Sequence, residues 1–168
     1  VKRGVEFLFT EPGESISPVQ RACEGTSIRI ISTRHEQSAT FMAETYGRMT
    51  RKPGIVVVTY APGFTNTLSG IQNANLSNSP LILIAGAQGR KAPDRLDLQD
   101  MKQEPIIQSM VKKSLVCTQA ERIPEYIDMA FRYAGNGRPG PVFVERPVDV
   151  LTATVDPTAV KRLATTVQ

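Results

Sequence analysis

The chain has little of what would narrow its function at once. Two cysteines occur in 168 residues, Cys23 and Cys117, far apart and without a C-x-x-C spacing. A dense disulfide framework is thereby excluded, and both read as structural thiols in a reducing, cytoplasmic setting. The one histidine, His35, cannot build a zinc site without partners. No apolar run approaches the ~18 residues that a membrane-spanning helix needs. Aromatic residues make up 6 %, and the basic residues are scattered, in pairs at most (Lys2-Arg3, Arg51-Lys52, Lys112-Lys113). The net charge of +4 therefore reads as a solvated surface rather than a nucleic-acid face. No signal-peptide pattern opens the chain, which starts Val1-Lys2-Arg3-Gly4 rather than with Met. Both ends read as cuts in a longer chain, or the start as a product of processing.

What is present is ordinary for one globular domain: 40 % apolar and 21 % charged residues. Short apolar runs at 5–9, 28–31, 55–58, 81–85, 114–117 and 141–145 predict strands. Helical patterns predict helices over 16–24, 36–50, from Pro62-Gly63 to about Asn78, and over 124–134 with a start near Ala120. In the 36–50 helix, Ala39, Met42, Ala43, Tyr46 and Met49 form one apolar stripe. Lys52-Pro53-Gly54 stops that helix. Residues 89–100 predict a loop, and 152–168 a tail or interdomain linker. Strands alternate with helices, and the runs Ile55-Val56-Val57-Val58 and Leu81-Ile82-Leu83-Ile84-Ala85 are apolar without alternation. That pattern predicts an α/β three-layer sandwich, with a mostly parallel central sheet and helices on both faces. Ligands of such sheets sit at the carboxyl ends of the strands. The residues to watch are 11–15, 33–36, 59–66 and 87–99.

Each of these stretches has a plain reading of its own. Thr33-Arg34-His35-Glu36 fits a capping box, in which Thr33 caps the helix and Glu36 reaches back to its backbone N–H. The turn Ala61-Pro62-Gly63 before a helix could bring N–H groups to an anion, yet it is neither G-x-G-x-x-G nor a Walker loop. Gln99 taken alone is a surface glutamine.

The ordered set is more specific than its parts. Pro12-Gly13-Glu14, Arg34-His35-Glu36-Gln37-Ser38-Ala39, Tyr46-Gly47-Arg48, Pro53-Gly54, Ala61-Pro62-Gly63-Phe64-Thr65-Asn66, Ser79-Pro80-Leu81, Gln99 and 137–142 (Gly-Arg-Pro-Gly-Pro-Val) follow in order. Together they resemble the pyrimidine-binding domain of thiamine-diphosphate enzymes of the acetolactate synthase type, a group that includes benzaldehyde lyase, benzoylformate decarboxylase, oxalyl-CoA decarboxylase and 2-hydroxyacyl-CoA lyase. The resemblance covers about residues 5–151. It implies that Glu36 points at N1′ of the cofactor's aminopyrimidine ring and favours the imino form that removes the thiazolium C2 proton. The resulting carbanion attacks a substrate carbonyl, with the thiazolium as electron sink. It further implies that Pro12 and Gly13 form a loop beside the active site and that Pro62, Gly63 and Asn66 line the pyrimidine side. Gln99 would face the reaction centre, and Glu14, Ser15, Thr59 and Tyr60 the substrate. Thr59-Tyr60 stand where benzoylformate decarboxylase carries a catalytic histidine, so that acid–base role is absent. The 61–66 stretch lies between oxalyl-CoA decarboxylase and benzaldehyde lyase in character and leaves the substrate class open.

No Gly-Asp dipeptide occurs in the chain. In the resembled family a Gly-Asp-Gly motif and a following Asn hold Mg²⁺ and the diphosphate in a second domain. The resemblance thus implies residues 1–151 as the pyrimidine-binding domain, 152–168 leading toward a missing central domain, and no metal site in this segment. It also implies a homodimer or homotetramer with the site at the subunit interface, and a 2-keto acid, aldehyde or acyl-CoA type substrate. The segment alone is expected to bind the cofactor weakly and to catalyse nothing. Two other readings remain open: a separate pyrimidine-domain subunit of a two-subunit decarboxylase, and a non-catalytic α/β nucleotide-binding module.

Overall fold

A computed structural model gives the structure of the protein and describes residues 3–90 and 98–160. Among the described residues six strands form one sheet: β1 (Phe7–Thr10), β2 (Arg29–Ser32), β3 (Gly54–Val58), β4 (Leu81–Ala87), β5 (Lys113–Val116) and β6 (Pro141–Pro147). Their order is β2-β1-β3-β4-β6-β5, and every pairing is parallel. The central strands β3 and β4 are buried along their whole length, as their unbroken apolar runs require. The edge strands β2 and β5 are largely exposed.

Alternate side chains enter two cores, one on each face. Phe9, Val56, Val58, Leu83 and Phe143 pack under α2 (Glu36–Thr50), α3 (Pro62–Thr65) and α4 (Leu68–Leu76). Leu8, Val57, Ile82, Ile84 and Val144 pack under α1 (Ser17–Arg21) and α6 (Ile123–Gly135). The three-layer expectation holds, with a sheet that is wholly rather than mostly parallel.

Four expectations about elements need correction. The buried face of α2 is Glu36, Ala39, Thr40, Ala43, Glu44 and Gly47, whereas Met42 is 46 % and Met49 79 % exposed. The reason is closeness. A Cβ on Gly54 would lie 1.9 Å from the Ala43 carbonyl oxygen, so α2 rides directly on β3 through its small residues and excludes the large ones. The second correction is that the helix after Pro62 breaks in two. Thr67 Oγ1 donates to the Phe64 carbonyl at 2.6 Å and tightens the chain between α3 and α4. Third, two short helices escape the periodic reading, α5 (Gln103–Ile107) and α7 (Val148–Leu151). Fourth, the predicted 16–24 helix is shorter than expected, with a 3-10 turn at Glu14–Ile16 leading into α1. Of the loop expected over 89–100, residues 91–97 lie outside the described residues. The same holds for 161–168 of the expected tail, whose described part carries a 3-10 turn at Pro157–Ala159.

Because β2 lies on one side of β1 and β3 on the other, the connections leaving β1 and β3 diverge. Such a divergence marks the carboxyl ends of β1 and β3 as the place where parallel sheets form a ligand crevice.

Candidate functional site

Glu36 opens α2 at the rim of this crevice and is 8 % exposed. The expected capping box does not form. The helix cap is His35, whose Nδ1 accepts the Gln37 N–H at 3.2 Å. The Thr33 N–H is committed to the Thr10 carbonyl at 2.8 Å, in continuation of the β1–β2 ladder, and Thr33 Oγ1 donates to the His35 carbonyl at 2.9 Å. Parallel pairing thus consumes the group that Glu36 would have reached, and the carboxylate is left for other work.

Asn66 takes up one oxygen. Its Nδ2 donates to Glu36 Oε2 at 2.9 Å. Asn66 is placed by the break between α3 and α4, its own N–H bound to the Pro62 carbonyl at 3.0 Å. Among the described residues Oε1 accepts no hydrogen bond, and it faces Gly63. A Cβ built on Gly63 would lie 3.0 Å from Oε1 and 2.6 Å from Thr59 Cγ2. Only a residue without a side chain lets the turn come this close.

The β1 and β3 loops are knitted together beside the acid. Ser15, 4 % exposed, and Thr59 share a 2.7 Å hydrogen bond between hydroxyls. Gly13 has extended backbone, and a Cβ there would meet Thr59 Cβ at 2.9 Å. Tyr60 is half-buried, its ring 3.3 Å from where a Gly86 Cβ would stand. Pro12, Glu14 and Pro62 are exposed on the same rim. The structure therefore brings Gly13, Ser15, Glu36, Thr59, Gly63 and Asn66 into one contiguous patch. Gln99 does not join it by any contact seen here: it lies exposed in a turn with φ +66°.

One buried polar residue escaped the sequence reading. Gln103, 1 % exposed at the start of α5, accepts the Ala61 N–H at 3.1 Å and donates to the Gly86 carbonyl at 2.8 Å and to Glu145 Oε2 at 3.0 Å. The available signal was Pro105, a proline in a first helical turn, where its missing N–H costs nothing. Burial raises the Glu145 carboxyl above its ordinary value, against the lowering effect of the Gln103 bond. Burial likewise raises the thiols of Cys23 and Cys117, both free and buried. Among the described residues no three His, Cys, Asp or Glu side chains converge as a metal site, and no helix is long and apolar enough to cross a membrane.

The arrangement offers a sheltered carboxyl with one oxygen fixed and the other turned to a side-chain-free surface, able to exchange one proton with a ligand. Residues 1–108 match the family described as thiamine pyrophosphate enzyme, N-terminal TPP binding domain. The chain is 40 % identical over 148 residues to 2-hydroxyacyl-CoA lyase 2 of Danio rerio, which covers 88 % of this chain and 24 % of that protein. It is 39 % identical over 148 residues to 2-hydroxyacyl-CoA lyase 2 of Homo sapiens, covering 88 % and 23 %. To acetolactate synthase of Bacillus subtilis (strain 168) it is 35 % identical over 164 residues, covering 98 % and 29 %. The chain spans about a quarter of the length of these relatives.

Proposed function

The chain belongs to the thiamine pyrophosphate enzymes, as their N-terminal cofactor-binding domain, and from that premise we propose that it is the pyrimidine-binding half of a site that makes or breaks a C–C bond next to a carbonyl. When bound, thiamine diphosphate supplies the carbon nucleophile and the electron sink for that chemistry. The chain's own residues bind one ring, hold a proton beside it and keep water away.

Glu36 carries the proton. Its Oε1, open toward Gly63, would share a proton with a ring nitrogen of the bound cofactor, while Asn66 holds Oε2 and so restrains the carboxyl plane. Gly63 and Pro62 give the ring a flat surface, and Gly13 with Pro12 closes the β1 side. Gln99 reaches the reaction centre in the assembled enzyme. Glu14, Ser15, Thr59 and Tyr60 line the substrate side, where the Ser15–Thr59 pair presents a hydroxyl edge rather than an acid–base group. The names of the relatives support a substrate of the 2-hydroxyacyl-CoA class or a product such as acetolactate. Mg²⁺ and the diphosphate are held by a further domain beyond residue 151, and a homodimer or homotetramer in the cytoplasm completes the site across a subunit interface.

The observation that carries this reading is the Oε1 of a nearly buried Glu36, opposite Gly63 and without a hydrogen bond among the described residues. The test is Glu36→Gln in the complete protein, read by NMR as the exchange rate of the C2 proton of bound thiamine diphosphate. A loss of at least about a hundred-fold, at the lower end for one general acid–base group, is expected. Exchange at the parent rate would refute the role of Glu36.

A further inference from the structure

Gln103 gathers the carboxyl ends of three strands at one amide. Its carbonyl oxygen accepts the N–H of Ala61, in the turn after β3. Its Nε2 donates to the carbonyl of Gly86 in β4 and to the carboxylate of Glu145 in β6. Both hydrogens and the oxygen of a primary amide are thereby engaged. Such a group cannot be exchanged for an apolar one without leaving three polar atoms unpaired.

Ala61 is where a firm hold is required. It adopts φ +51° and ψ −107°, a conformation that residues with a Cβ avoid. Its carbonyl accepts the Thr65 N–H at 2.9 Å, and the next two residues are Pro62 and Gly63. The peptide of Ala61 therefore sets the height of the whole 62–66 turn. That turn carries both neighbours of the acid, Gly63 against Oε1 and Asn66 on Oε2. Gln103 itself makes no hydrogen bond with Glu36.

We propose that Gln103 is a positioning residue for the acid site: by tying the Ala61 N–H to the ends of β4 and β6, it keeps Gly63 and Asn66 facing Glu36. The inference rests on the role given to Glu36 above. It assigns a function to a residue that touches neither the carboxyl nor the ring surface, and it acts on the proton at Oε1 only through backbone.

The test uses the complete protein with Gln103→Leu, with the double variant Gln103→Glu, Glu145→Gln, and with Glu36→Gln as a reference. The double variant exchanges carboxylate and amide across the pair and keeps an acceptor for the Ala61 N–H, at the loss of the donor to the Gly86 carbonyl. Three quantities are read: hydrogen–deuterium exchange of the 59–66 peptide without cofactor, the dissociation constant of thiamine diphosphate, and C2-proton exchange of the bound cofactor. For Gln103→Leu, amide exchange in 59–66 should quicken and C2 exchange should slow, each by about ten-fold, the loss of one hydrogen bond of ordinary strength. The dissociation constant should move less, because the diphosphate is held elsewhere. The double variant should return both exchange rates toward the parent. If both variants leave 59–66 and C2 exchange at parent rates, Gln103 is a core residue only and the inference falls. Should Gln103→Leu not fold, Gln103→Asn, whose shorter amide cannot reach both Ala61 and Gly86, is read in its place: quicker exchange in 59–66 with slower C2 exchange sustains the inference, and parent rates of both overturn it. Parent-rate C2 exchange in Glu36→Gln would show that the reading of the acid has failed, not the role of Gln103 in holding Ala61.

Discussion

Asn66 Nδ2 and Glu36 Oε2 lie 2.9 Å apart and join the break between α3 and α4 to the first residue of α2. Glu36 stands at the amino end of a 15-residue helix, and the bond to Asn66 ties its side chain to the neighbouring turn rather than to its own helix. Replacing Asn66 by Ala frees the carboxyl to rotate. The C2 proton of bound thiamine diphosphate should then exchange about ten-fold more slowly, as loss of one charge-assisted hydrogen bond implies. Melting temperature should hardly change, since Asn66 is half-buried at a rim.

Gly63→Ala probes the close approach directly. Its Cβ would stand 2.6 Å from Thr59 Cγ2, which forces the turn away from Glu36 or rotates Thr59 out of its bond with Ser15. A stability loss of about 1–3 kcal/mol, typical of overpacking, is expected in thermal unfolding of the complete protein. Titration should show weaker binding of thiamine diphosphate as well. Parent-like affinity would mean that the ring does not lie on this turn.

Glu145 provides a pH signature. Burial raises its carboxyl above the ordinary 4.5, so the folded protein holds the proton more tightly than the unfolded chain. The stabilising effect is therefore full below 4.5 and is lost as the pH rises through the raised value. Glu145→Gln cannot titrate, and its amide oxygen still accepts from Gln103. The difference in melting temperature between variant and parent should move in favour of the variant as the pH climbs from about 4 to about 7. A difference independent of pH would show that Glu145 does not titrate abnormally.

A second buried carboxylate answers to stability alone. Glu44, 1 % exposed on α2, accepts Ser79 Oγ at 2.7 Å, with Arg48 Nε at 3.5 Å from the same oxygen. Ser79→Ala leaves that oxygen short of a donor and should cost about 1–3 kcal/mol. C2 exchange should stay at the parent rate, because the pair lies far along α2 from its first residue.

The chain on its own offers a further check. Prepared as these 168 residues, it should bind thiamine diphosphate only weakly by calorimetry and turn over no 2-keto acid or 2-hydroxyacyl-CoA. Turnover at the rate of a complete relative would show that the diphosphate and metal site need no further domain.

Much of the fold could be read from the chain because parallel strands buried on both faces are written as unbroken apolar runs. The bounds of α2, 36–50, come directly from its pattern and from Lys52-Pro53-Gly54. What the pattern misplaced was the buried face of α2. Periodicity ranks residues by hydrophobicity, whereas close packing on Gly54 selects by size, so Ala43 and Gly47 turn inward and Met49 outward. The capping box failed for a related reason, since the Thr33 N–H that it needed belongs to the sheet. Of the contiguous patch, Glu36, Gly63 and Asn66 stand in the ordered set of motifs, but the bond between Glu36 and Asn66 depends on a helix break that Thr67 makes with its own hydroxyl. Gln103 was legible only through Pro105, which marks a helix start and says nothing of a buried amide. It sits in a five-residue helix too short for a period, four positions after the glutamine that the motif set singles out, and only burial distinguishes the two.

The crevice between β1 and β3 exists because consecutive connections leave the sheet in opposite directions, not because side chains hold it open. Its walls are therefore free to vary. Glu14 and Tyr60 can be exchanged for other residues without a cavity appearing in either core, while Gly63 and Ala61 are bound to one geometry. The hollow at the strand ends is thus set by the routing of the chain, with one side fixed by close backbone approach and the other faced by exposed side chains.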